Sequence, residues 1–187
     1  VKNFDEKEAE RVKALEKVTN HDVKAVEYYL KEKLERTSLK KHLEFIHFAC
    51  TSEDINNLAY ALMLKGAMKD VMLPAMKKLN KKVSDLAQQW KAVPLLSLTH
   101  GQPASPTTVG KELLVFAKGL ERQIGHLEAQ EYFGKINGAP GNWSAHSEAY
   151  PKLNRIKFSE TFVKNLGLTH NPVTSQIESH DFQAELY

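Results

Sequence analysis

Apolar positions recur at three- and four-residue intervals along most of this chain. Val12 and Leu15 mark a weak stripe in the charged segment 5–17, which predicts a surface helix. Val23, Val26, Leu30 and Leu34 predict a second helix, with Glu27 and Lys31 spaced as an i,i+4 ion pair. Leu39, Leu43, Ile46 and Phe48 predict a short helix over 39–48. From Ile55 the stripe continues through Leu58, Ala59, Leu62, Ala67 and Val71, then Met76, Leu79, Val83, Leu86 and Trp90. That length suggests a long helical bundle. Pro74 is expected to kink or divide the helix and Pro94 to end it. Val109, Leu113, Phe116, Leu120, Ile124 and Leu127 predict the buried stripe of the next helix. Ile156, Phe162 and Leu166 predict the inward face of a helix over 154–166, closed by Gly167. No stretch of useful length alternates with strand period, so the expected fold is all-α, with long bundle helices.

Polar joints interrupt these helices. Thr19-Asn20-His21-Asp22 opens the second helix, where Asn and Asp are good caps. Cys50-Thr51-Ser52-Glu53-Asp54 opens the long one, with Thr51 or Ser52 as cap and two acids at the positive end of the dipole. Ser97 to Thr108 reads as a polar loop between long helices, with His100 at its centre. Loops held by rigid scaffolds often carry chemistry, and His titrates near neutral pH, so His100 is a candidate general acid or base. A solvated connection with an incidental histidine is the plainer alternative, as a turn-capping role is for His21. Residues 134–150 form a further joint whose three glycines, Gly134, Gly138 and Gly141, permit close backbone approach. Asn171 to Asp181 forms the last, ahead of a final helical segment.

Composition narrows the picture. The 187 residues are 42% hydrophobic and 26% charged with a net charge of +3, a globular composition with no basic block that would argue for nucleic acid. No apolar run is long enough to span a bilayer. A single cysteine, Cys50, leaves no internal disulfide and reads as a small buried thiol. The start at Val1-Lys2-Asn3-Phe4-Asp5-Glu6 reads as neither a signal peptide nor an initiator methionine, and a cytoplasmic location is expected. Both ends read as truncated.

Bundle geometry can bring several joints to one end. Together they offer imidazoles, hydroxyls, amides and carboxylates, a set suited to binding a polar anion and moving a proton. No His-x₃-His or Cys-x₂-Cys spacing suggests a metal, and no cofactor is expected. A Ser-His-Asp arrangement stays open on composition, although no Gly-x-Ser-x-Gly elbow is present.

The joints also resemble a known family. Thr99-His100-Gly101-Gln102-Pro103-Ala104, Thr19 through Tyr28, Phe45 through Asn57, Lys135-Ile136-Asn137-Gly138-Ala139 and Gln176-Ile177-Glu178 resemble, in order, the bacterial type of the adenylosuccinate lyase family, in the aspartase/fumarase superfamily. The resemblance covers essentially the whole chain. It implies the end of an N-terminal helical domain over residues 1–42 and the first part of a central helical bundle over 43–187. It implies β-elimination of fumarate from adenylosuccinate, giving AMP, and from the succinyl-aminoimidazole-carboxamide ribotide of purine synthesis. His100 matches the general acid and His47 a supporting histidine. Asn20, His21 and Asp22 match a substrate-contacting stretch near the ribose-phosphate. Thr51 and Ser52 match hydroxyls that bind the succinyl carboxylate, and Gln176 an amide on the substrate. The implied assembly is a homotetramer with shared sites, and no metal or organic cofactor is implied.

Two positions depart from the family pattern: Leu98 stands where Arg is usual and Ser179 where Pro is common. The family's loop bearing the catalytic base serine is absent from these residues, so these residues alone are expected to be inactive. The rival readings are a sister lyase (argininosuccinate lyase or fumarase) and a non-catalytic helical interaction module.

Overall fold

The structure, a computed structural model, describes residues 4–187. Val1, Lys2 and Asn3, part of the segment read as lacking a signal peptide, lie outside the described residues. Among the described residues eight α-helices and four short strands follow in order: α1 (Glu6–Thr19), α2 (Asp22–Leu34), α3 (Ser52–Ala67), α4 (Leu73–Gln89), β1 (Pro94–Thr99), β2 (Gln102–Thr108), α5 (Val109–Glu128), β3 (Phe133–Gly134), α6 (Ser144–Ala149), α7 (Arg155–Asn165), β4 (Thr169–His170) and α8 (Asp181–Leu186). The chain divides into two compact units, one of residues 1–62 and 132–180, the other of residues 63–131 and 181–187.

In the first unit α1 packs against α2. Asp5 caps α1 by accepting the Glu8 N–H, and Asn20 closes it in the left-handed region at φ 50°. The expected Glu27–Lys31 pair is present at 3.1 Å. The expected stripe of α2 is only partly right: Val23 is buried, Val26 is exposed, and Ala25 and Tyr29 fill the core instead. Residues 39–48 form a 3-10 turn over Lys40–Phe45, not an α-helix. β3 and β4 pair in parallel, Phe133 against Thr169 and Gly134 against His170. Gly134 lies so close to Leu58 that an added Cβ would stand 2.5 Å from its Cδ2. The face expected for α7 is corrected: Ser159 and Val163 are buried, while Ile156, Phe162 and Leu166 are exposed. The small Ser159 wins the inward position because its hydroxyl donates to the Ile136 carbonyl (2.7 Å) and meets the Trp143 indole N–H (2.6 Å).

In the second unit a π-helical turn, Met68–Met72, precedes α4. Pro74 has no N–H and its ring crowds the preceding turn, which accounts for the interruption expected there. α4 and α5 pack together through small side chains, Ala87, Gly110 and Ala117, with Ile124. Phe116, expected in the buried stripe of α5, is 71% exposed. The expected polar loop 97–108 is corrected as well. It is an antiparallel hairpin, with Pro94 opposite Thr108 and Thr99 opposite Gln102, and a register shift between Leu96 and Leu98. Its base is tied by Val109 N–H to Val93 C=O (3.0 Å) and Gly110 N–H to Trp90 C=O (3.1 Å). Among the described residues no helix is long and apolar enough to cross a membrane.

Candidate functional site

Three joints of the first unit converge. The α1–α2 corner is the first. His21, not Asn20 or Asp22, is the N-cap of α2, its Nδ1 accepting the Lys24 N–H at 3.3 Å. Its Nε2 lies 3.1 Å from Ser52 Oγ. An Nδ1 that accepts leaves the proton of the neutral ring on Nε2, so the imidazole donates to Ser52 and its hydroxyl proton is free for a further acceptor. Asp22 Oδ1 is 3.3 Å from His21 Nδ1, which resembles a Ser-His-Asp triad in outline. The bonding direction is the reverse of the one a nucleophilic serine needs. Asp22 is held below the usual carboxylate range, chiefly by the Val23 N–H, and it also accepts from Asn56 Nδ2 at 3.1 Å. Asn20, His21 and Asp22, with Lys13, Glu16 and Lys17, line an open cleft of about 680 Å³.

The start of α3 is the second joint. Asp54 is fully buried and gathers four donors: Thr51 N–H (2.8 Å), Asn137 N–H (3.1 Å), Gly138 N–H (3.1 Å) and Lys135 Nζ (2.9 Å). The Asp54 carboxylate reaching back to the Thr51 N–H is half of a capping box. Asn57 adds a second clamp, its Oδ1 accepting the Lys135 N–H (2.8 Å) and its Nδ2 donating to the Lys135 carbonyl (3.1 Å). The loop 135–138 is thereby fastened to the first turn of α3, directly beneath Thr51 and Ser52. Cys50 precedes them as a half-buried thiol, pushed up to about 11 by burial, so it is no nucleophile at neutral pH.

The segment 171–180 is the third joint. Asn137 Nδ2 donates to Thr174 Oγ1 at 2.7 Å. Gly141, at φ 75°, packs so tightly that an added Cβ would fall 2.2 Å from the Thr174 carbonyl oxygen. Gln176 is exposed on this segment.

Two further candidates take no part in the contacts above. His47 is half-buried, with φ 66°, in the turn ahead of Cys50. His100 belongs to the second unit, at the tip of the β1–β2 hairpin, exposed, with φ 54° followed by Gly101 at 74°. Positive φ at both central residues is what a two-residue hairpin turn of matching twist requires. Among the described residues, the six non-glycine positions with positive φ lie at joints: Asn20, His47, Ala49, His100, Trp143 and His180. Each costs on the order of 1–3 kcal/mol, and such strain concentrates at functional sites.

Asp54, Asn57 and Lys135 were missed by sequence reasoning, which read Asp54 only as a dipole partner. The sequence shows only a lysine at the edge of a Gly- and Asn-rich joint, which points to no partner. Among the described residues no three of His, Cys, Asp and Glu gather to hold a metal ion.

A sequence profile of the family described as Lyase matches residues 1–187. The chain belongs to the lyase family. Its curated relatives in this lyase family include the adenylosuccinate lyases of Haemophilus influenzae and Escherichia coli K12, each 55% identical over 188 residues. That of Vibrio cholerae is 52% identical over 187 residues. The alignment covers the whole chain but 41% of the first two relatives, so the chain spans about two fifths of their length. Solved structures share the fold. A fumarate lyase from Mesorhizobium sp. BNC1 superposes with a TM-score of 0.78 at 18% identity, covering 98% of this chain and 41% of that one. A 3-carboxy-cis,cis-muconate lactonizing enzyme from Pseudomonas putida gives 0.70 at 21% identity, covering 91% and 37%. The expectation of a mainly helical fold with long helices stands, with short strands added.

Proposed function

We propose that the protein carrying this chain is an adenylosuccinate lyase, which eliminates fumarate from adenylosuccinate and from the succinyl-aminoimidazole-carboxamide ribotide. The observation that carries the reading is 55% identity to curated adenylosuccinate lyases across the whole chain. The polar cluster fits the chemistry. Elimination takes a proton from the succinyl Cβ, forms the fumarate double bond and breaks the C–N bond, whose nitrogen then needs a proton. In this reading His100 supplies that proton as general acid, with His47 in support. Ser52, its hydroxyl proton freed by the His21 bond, and Thr51 bind the succinyl carboxylate, and Gln176 binds the substrate by its amide. Asn20, His21 and Asp22 face the ribose-phosphate end. The base comes from outside these residues.

Residues 1–42 are read as the end of an N-terminal domain and 43–187 as the first part of the central bundle. The assembly is a cytoplasmic homotetramer with sites shared between subunits. Supporting association, α4 and α5 expose Leu79, Val115 and Phe116. Fumarate release by the full-length protein tests the reading. His100→Ala is expected to lower turnover by about 10²–10⁴-fold with both purine substrates. Turnover left intact would instead favour a non-catalytic role for the hairpin, and release of fumarate from argininosuccinate or malate alone would point to a sister lyase.

A further inference from the structure

The segment carrying Gln176 is built around a further histidine, His180, that the reaction above does not use. Glu178 is fully buried, and its two carboxylate oxygens tie the segment's ends together. Oε1 accepts Asn171 Nδ2 at 3.0 Å and Oε2 accepts the His180 N–H at 2.8 Å. Asn171 is itself anchored by its N–H to the Gly134 carbonyl at 2.9 Å. The His180 ring then stands between two carboxylates. Its Nδ1 is 3.6 Å from Glu178 Oε2 and its Nε2 is 3.6 Å from Glu53 Oε1. Glu53 Oε1 is buried and has no hydrogen-bond partner. A buried carboxylate oxygen is costly unless a polar group faces it, and the His180 ring is the group in that position. Glu53 is the neighbour of Ser52 in the first turn of α3, and His180 holds φ 60°, a conformation that needs outside support.

We propose that His180, with Glu53 and Glu178, is a positioning group: it braces the Gln176 segment against the first turn of α3 and so fixes Gln176 relative to Ser52. The proposal rests on the functional reading above, in which both residues meet the substrate. It assigns the trio no contact with the reacting atoms. A brace of this kind acts on substrate binding more than on the chemical step.

The test is made in the full-length protein, with KM, kcat and melting temperature measured together. Glu53→Ala and His180→Ala are each expected to raise KM about 10-fold while kcat changes by less than about 3-fold. Glu53→Gln, which keeps the shape of the side chain, is expected to give the same KM shift if the alanine variant folds poorly. In a Gln176→Ala background Glu53→Ala should add no further rise in KM, because its effect passes through Gln176. A lowered melting temperature with unchanged KM, or KM effects that multiply with that of Gln176→Ala, would overturn the brace. Failure of the wild type to release fumarate from either purine substrate would overturn the functional reading instead. Hydrogen exchange then decides the brace alone: amides of residues 174–179 should exchange faster in Glu53→Ala, and an unchanged rate would reject it.

Discussion

At the scale of single residues, burial and backbone conformation make opposite demands at Asp54 and His100. Asp54 and Lys135 form an ion pair at 2.9 Å with both side chains at 0% exposure. Removing one partner strands the other charge, so Asp54→Ala is expected to cost about 3–5 kcal/mol in urea unfolding. It should also free the 135–138 loop from α3. His100 is strained where it stands, at φ 54° on an exposed turn. His100→Gly relieves that strain and is expected to leave stability unchanged or raise it by up to about 1 kcal/mol, while turnover falls as for alanine. Calorimetry and the fumarate assay on one preparation check both signs; a marked loss of stability would mean that the imidazole holds the hairpin. The joints at Asn20–Asp22, Thr51–Ser52 and Thr99–His100 were legible because polar residues interrupt a helical period. The Asp54–Lys135 pair was not, because partners so far apart in sequence leave no local pattern.

At the scale of elements, the long helices were legible and the hairpin was not. Neither face of β1 is buried, and Leu95, Leu96 and Leu98 all stand exposed, so no alternation marks the strand. Backbone pairing alone defines it, and a two-stranded ribbon is marginal by itself. Amides of β1 and β2 are therefore expected to exchange much faster than those of Leu58 and Ala61 in α3; protection equal to that helix would show support that the pairing does not account for. The α4–α5 contact is far less tolerant. At Gly110 an added Cβ would fall 2.2 Å from the Ala87 carbonyl oxygen and 2.6 Å from Lys91 backbone atoms. Helix propensity favours Ala over Gly by about 1 kcal/mol, yet backbone cannot yield as a side chain does. Gly110→Ala is expected to destabilise by about 1–3 kcal/mol, read as a lower melting temperature. The same competition explains the misread face of α7, where hydrogen bonding by Ser159 outweighed the larger apolar side chains.

At the scale of the whole molecule, two inner histidines couple stability to pH. Burial pushes the imidazoles of His146 and His170 below the usual 6.5, with Asp54 partly opposing this at His146. The unfolded chain therefore takes up protons that the folded chain refuses. This contribution is complete above about pH 6.5 and declines as pH falls through that value toward the lower folded values. Urea midpoints between pH 8 and pH 5 should fall accordingly, with a shallower decline in His146→Gln; an equal decline would place the coupling elsewhere.

The burial of Lys135 has one more consequence. Surface lysines such as Lys118 and Lys164, with side chains 67% and 61% exposed, meet an amine-reactive reagent at once. The Lys135 amine is at 0% exposure and held by Asp54, so it meets the reagent only when the first unit opens. The chain carries its own clock for that opening: the rate at which Lys135 acquires a label counts how often its core comes apart.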